Sequence, residues 1–314
     1  IEKSDYTGLE PGLIKGSTIV KESDVACKIK QLAQKCNIGS KKITLGFSGL
    51  HSLTRPISLP ILPKNMLHEA IAREARRVLP VPLDQLYLTW KVLSNNKGKT
   101  QVFVAATQRK TADSLVKTVR SAGLNPHRMM IKPLALTRMI NAKEGILIDV
   151  QPSEFDIVIL IDGIPQPVRT VSMPTETLTW EQKATMVAND LERTINFFNT
   201  NNPDTPLKEN VPIFISGDFL LRKELHEQLA GESGHPVNTL PVETEIPEKF
   251  DLPKYIINIG LALKHQGKEI ENKYPLADLN LLPAPYQPKP ISLNRIIGIP
   301  ACAAIVTILV PTII

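Results

Sequence analysis

The clearest periodicity in the chain lies at residues 63–79, where Leu67, Ala70, Ile71, Ala75 and Val78 share one face at helical spacing. Glu69 and Glu74 pair with Arg73, Arg76 and Arg77, the basic end falls at the helix C-terminus where the macrodipole favours it, and Pro80 and Pro82 end the run. Residues 85–93 predict a strand and 95–98 a turn. Residues 101–107 (QVFVAAT) are apolar enough for a strand at the centre of a sheet, and 109–121 predict a helix that stops at Gly123. Upstream, 8–20 read as two short strands joined through Glu10-Pro11-Gly12. A helix follows at 22–36 with Ser23 as its cap, then strands at 41–48 and 54–59 joined around Gly49. Downstream come a helix at 133–140, strands at 145–150, 156–161 and 166–172, a long helix at 180–199, a strand at 211–216, and helices at 220–229 and 254–264. Strands alternate with helices twice, which predicts an α/β chain of two similar halves.

The final stretch breaks this pattern. Residues 296–314 contain no charged side chain in 19 positions, close to the length that a bilayer's hydrocarbon core demands of a helix. Pro300 and Pro311 would break a soluble core helix but are tolerated in membrane spans. A proline-rich spacer with Pro283, Pro285, Pro288 and Pro290 precedes it, and the hexapeptide DLNLLP (Asp278 to Pro283) opens that spacer. The tail is expected to be a transmembrane helix. Lys289 and Arg295 just before it, with Lys264, Lys268 and Lys273 upstream, put the main domain on the cytoplasmic side of the membrane. The chain opens on Ile1 and stops while still apolar, so a longer protein is expected, with a periplasmic domain beyond Ile314.

Composition adds little to this. With 314 residues and 42% hydrophobic positions the chain is globular. Cys27, Cys36 and Cys302 have no zinc-like spacing, the six histidines are scattered, and there is no phosphate-binding GxxxxGK loop or GxSxG elbow. Charge is uneven: residues 97–143 hold ten basic side chains against one acid, Asp113. With Phe103 as the segment's one aromatic and no reading motif, nucleic acid is not the expected partner. An acidic protein or an anionic leaflet fits better.

The run EAIAREARRVLPVPLDQLYLTWKVL (69–93) resembles the helix-Pro-strand segment of PilM, the actin-like component of type IV pilus assembly. VFVAATQRKTADSLVKTVRSAGLNP (102–126), ILIDV (146–150) and YIINIGLALK (255–264) agree with it in order and spacing. The resemblance implies a two-lobed actin-like (ribonuclease H-like) fold over residues 1–272. The strand-helix-strand-strand-helix unit at 48–123 would be its inserted αβ (SHS2-like) subdomain. A PilN-like motif and juxtamembrane linker would follow at 273–295, and the membrane helix at 296–314. DLNLLP looks like the short motif that the membrane protein PilN presents to a groove on PilM, and the fused layout is similar to GspL of type II secretion. It would dock on the chain's own domain or on a neighbouring copy: Leu279, Leu281 and Leu282 in apolar pockets, Asn280 on exposed backbone groups, Pro283 fixing the exit, Asp278 leading in.

By the same resemblance, phosphates would sit on two hairpins with Asp-x-Gly turns. The first would lie before Ile1. The second reads Asp149-Val150-Gln151-Pro152, so a side chain replaces the glycine and Pro152 removes a donor. The adenosine loop reads Ser216-Gly217-Asp218 where two glycines are the rule. The nucleotide site, Asp149, Gln151, Ser153, Ser216 and Gly217, is therefore expected to be vestigial. No cofactor is required, although Mg-ATP is what such a fold would take. The expected function is a non-catalytic scaffold at the bacterial inner membrane. Its partners would be the DLNLLP segment, membrane proteins of the pilus or secretion platform, a cytoplasmic assembly ATPase, and a second copy in a homodimer. The alternative is an active actin-like ATPase that binds ATP and polymerises, which an intact Asp-x-Gly turn ahead of Ile1 would favour.

Overall fold

The computed structural model describes residues 3–38, 42–96, 98–174, 178–242, 245–247, 250–263, 276 and 279–288. The chain divides into two units, Ile1–Pro283 and Ala284–Ile314. The described part of the second is a short 3-10 turn at Ala284–Tyr286. The apolar tail at 296–314 lies outside the described residues, and among those that are described no helix is long and apolar enough to cross a membrane.

The first unit opens with a hairpin of β1 (Ile14–Lys15) and β2 (Thr18–Ile19). Its turn is Gly16-Ser17, both at positive φ (51° and 59°), as a two-residue hairpin loop requires. Glu10-Pro11-Gly12, expected to join the strands, forms a separate turn ahead of them. α1 (Glu22–Lys35) starts after Lys21 with no side-chain cap, because Ser23 lies inside the first turn and donates to Asp24.

β4 (Ser52–Pro60), β5 (Leu86–Asn96) and β6 (Lys99–Gln108) form an antiparallel sheet with β6 in the middle, as its apolar sequence predicts. α2 (Lys64–Val78) covers one face of this sheet, packing Ile71 and Ala75 among Ile57, Leu59, Val102, Val104 and Ala106. α3 (Arg109–Ser121) then leads to β7 (Asn125–Ile131), which pairs in parallel with β3 (Lys42–Phe47). The pattern does not predict β7, because Pro126, His127 and Arg128 interrupt its first half and only Met129-Met130-Ile131 is apolar.

After α4 (Lys132–Thr137) the chain builds a five-stranded sheet from β8 (Gly145–Val150), β9 (Glu154–Ile161), β10 (Ile164–Ser172), β11 (Ile213–Gly217) and β12 (Val237–Thr239). Their order is β10-β9-β8-β11-β12, with β8 antiparallel to β9 and parallel to β11. Alternation sorts the side chains. Ile146, Ile148, Phe155, Ile157 and Ile215 pack on α5 (Trp180–Asn201) and α6 (Lys223–Ser233). Leu147, Val158 and Leu160 face α4 and α7 (Leu252–Ala262). Gly260 lets α7 approach α4, since a Cβ there would lie 2.5 Å from the Ala135 carbonyl oxygen.

α5 begins at a reciprocal box between Thr179 and Gln182, a helix start the apolar spacing does not announce. α6 starts three residues later than expected, because Asp218 to Arg222 form a loop after Gly217 turns at φ 71°. The expected similarity of the two halves does not extend to their sheets: the second has five strands, while β3–β7 and β4-β6-β5 are separate, smaller sheets.

Candidate functional site

Two arrangements bring together residues far apart in the chain, and β7 joins them. The first is on the edge of β7 that does not pair with β3. The Leu281 N–H donates to the Met129 carbonyl (2.8 Å), and the Met129 N–H donates to the Asn280 side-chain oxygen (3.0 Å). The same oxygen accepts from the Leu282 N–H (3.0 Å), and the Asn280 amide reaches the His127 carbonyl at 3.4 Å. Asn280 thus stands in for a missing strand residue, closing one backbone donor on β7 and one in its own segment. Leu279, Leu281 and Leu282 are buried, as are Leu276 and Pro283. Asp278 lies outside the described residues.

The second arrangement is a polar row across an otherwise apolar sheet face. Thr170 on β10 is in register with Asp156 on β9, Asp156 with Asp149 on β8, and Asp149 with Ser216 on β11. Glu154 lies two residues before Asp156 on the same face. Lys132, the first residue of α4 and the one after β7, reaches into the row. Its Nζ lies 2.8 Å from Glu154, 3.0 Å from Asp156 and 3.5 Å from Asp149, and all four side chains are buried. The Ser48 hydroxyl donates to the other Glu154 oxygen (2.6 Å), Thr170 donates to Asp156, and the Gln151 amide donates to both Asp149 oxygens (3.1 and 3.2 Å).

Burial alone would lower the Lys132 pKa, but Asp156, Asp149 and Glu154 together outweigh it, so the ammonium is held above its ordinary value. Burial pushes the Asp156 carboxyl up to about 7, against the pull of Lys132 and with the push of Asp149. Burial also raises Asp218, with Lys183 opposing.

Of the residues expected in a vestigial nucleotide site, Asp149, Gln151, Ser216 and Gly217 converge at the ends of β8 and β11. Gly217 is pressed so closely there that a Cβ would lie 2.0 Å from the Val150 carbonyl oxygen and 2.8 Å from the Gln151 amide. Ser153 is exposed on the turn between β8 and β9, away from the row. Lys132, Glu154 and Asp156 do not stand out by spacing. Their signal is a charge isolated in an apolar run, as in MMIKPLAL (129–136) and EFDIVILI (154–161). Among the described residues, no group of three or more His, Cys, Asp or Glu side chains is arranged to hold a metal ion.

These features define an α/β domain with residues 279–282 bonded along a strand edge and a buried charge cluster at the end of that strand. The chain belongs to the type IV pilus assembly protein PilM family, whose model matches residues 1–165. Among solved structures it is similar to a PilM–PilN type IV pilus biogenesis complex, at 21% identity and a TM-score of 0.67 over 82% of this chain and 89% of that one. At that identity the likeness is one of fold. It also matches the cytoplasmic domain of EpsL, an inner membrane component of the type II secretion system of Vibrio cholerae (10% identity, TM-score 0.47, 85% of each chain). A Bacteroides thetaiotaomicron protein with an actin-like ATPase fold matches at 9% identity and a TM-score of 0.38 over 76% of this chain and 81% of that one. These last two are too distant for inference. No curated protein matches.

Proposed function

We propose that this protein is a non-catalytic, actin-like scaffold of a type IV pilus or type II secretion-like platform, whose working chemistry is recognition of the LNLLP segment by the edge of β7. The observation that carries this reading is the bonding at Met129. Both of its backbone groups are engaged by residues about 150 positions later in the chain, Asn280 by its side chain and Leu281 by its main chain. Backbone pairing of this kind supplies affinity, and pockets for alternate side chains supply specificity. The likeness to a PilM–PilN complex supports reading the segment as the counterpart of a PilN-like partner, carried here on the same chain. Such tethering raises the local concentration to the order of millimolar, enough to occupy a weak site.

In this reading residues 296–314 anchor the domain to the inner membrane, with the domain on its cytoplasmic side. The test is limited proteolysis of residues 279–288 in the wild type and in the Asn280→Ala variant. The wild type is expected to resist cleavage there and the variant to be cut. Equal resistance in the two would remove the support for docking.

A further inference from the structure

The Lys132 cluster does not take part in peptide recognition, yet it concentrates more buried charge than any other place among the described residues. Three carboxylates, two from β9 and one from β8, converge on one point. Their remaining oxygens are held by Ser48, Thr170 and Gln151, so each carboxylate is oriented as well as buried. Two aspartates and a glutamate on a rigid sheet, with a buried serine hydroxyl beside them that has no hydrogen-bond partner among the described residues, form the oxygen-rich donor set that a divalent cation seeks. The centre is occupied instead by an ammonium at 2.8 to 3.5 Å. Those are ion-pair separations, longer than the ~2.3–2.6 Å of calcium–oxygen contacts. With the ammonium in place the three carboxylates are not arranged to hold a metal ion.

We propose that Lys132 is a built-in cation: its ammonium fills a site whose chemistry is that of a divalent-ion pocket, and so joins the β3–β7 pair to the five-stranded sheet without metal or nucleotide. The cluster is where the two sheets meet, since Lys132 extends from β7, Ser48 follows β3, and Asp149, Glu154 and Asp156 belong to β8 and β9. A tethered ammonium cannot dissociate, so this junction has no ion-free state and is closed to the metal of a metal–nucleotide complex. This deepens the scaffold reading, on which its functional meaning rests, but its test does not involve the LNLLP segment.

The test compares the wild type with Lys132→Met, which keeps the length of the side chain and removes its charge. Thermal melts are recorded in EDTA and in millimolar calcium, and bound manganese is counted by electron paramagnetic resonance. The wild-type Tm is expected to be indifferent to calcium, with no bound manganese. Lys132→Met is expected to melt lower in EDTA, to recover several degrees in calcium, and to bind one manganese ion per chain. Adding Asp156→Asn to Lys132→Met leaves two carboxylates and is expected to give a folded protein that has lost the calcium response. Stoichiometric manganese binding by the wild type would overturn the proposal. So would a Lys132→Met protein that folds but ignores both ions, or one that stays unfolded in calcium while the double variant folds.

Discussion

Replacing Asn280 by Ala is expected to release the LNLLP segment from β7, and the structure sets the size of the effect. The three buried leucines stabilise the docked form by about 2 kcal/mol each. Fixing the five residues of the segment costs about 1–2 kcal/mol per residue. These terms nearly cancel, so the hydrogen bonds decide whether the segment docks. Asn280→Ala removes the acceptor of the Met129 N–H, a donor on a fully buried residue. The loss is about 1–2 kcal/mol, or about 5- to 30-fold in the ratio of docked to free segment. Native-state hydrogen exchange reads this at one amide. The Met129 N–H should lose protection by at least the lower figure, while amides of β8, which belong to the other sheet, keep theirs. Unchanged protection at Met129 would refute the reasoning, because the Asn280 oxygen is the acceptor assigned to that amide.

Three further outcomes are expected. The Asp156 pKa is 3.8 ordinarily and about 7 in the fold, so between these values the folded state keeps a proton that the unfolded chain has lost. Its contribution to stability therefore falls as pH rises through that window, by at most about 1.4 kcal/mol per unit, and Asp156→Asn should abolish that part of the slope in denaturant titrations. A slope unchanged by the substitution would contradict the assignment. Gly217→Ala forces a Cβ onto the Val150 carbonyl at a φ of 71° and should destabilise by at least about 1–3 kcal/mol, read as a lowered melting temperature. An unshifted melt would mean the β8–β11 junction is looser than described. Calorimetric titration with Mg-ATP should give no micromolar binding, and such binding would favour the ATPase alternative.

What could be read from the sequence follows a physical division. α2, α3 and β6 are legible because each carries its own evidence, a period of apolar residues or an unbroken apolar run. β7 is not, because half of its positions are polar or proline and its reason for being a strand lies in β3 and in residues 279–282. The polar row is hidden for a related cause. Ser48 and Glu154 are 106 residues apart, and Lys132 and Asp156 are 24, so only the fold reveals that they meet. Asn280 and its leucines are singled out by resemblance alone, since five residues have no period to read. Ser23 misled because a serine near a helix start suggests a cap wherever the first turn falls. The loop at Asp218 to Arg222 misled because Phe219, Leu220 and Leu221 look like the opening of a helix.

The most direct test of the central claim is to offer the segment back in trans. A synthetic peptide spanning residues 276–287 would be titrated, by fluorescence anisotropy, into the wild type and into the Asn280→Ala/Leu281→Ala double variant. The account predicts saturable one-to-one binding to the double variant, whose β7 edge is vacated, and little or none to the wild type, whose edge is occupied by its own chain. Equal binding to both proteins, or none to the vacated one, would contradict it.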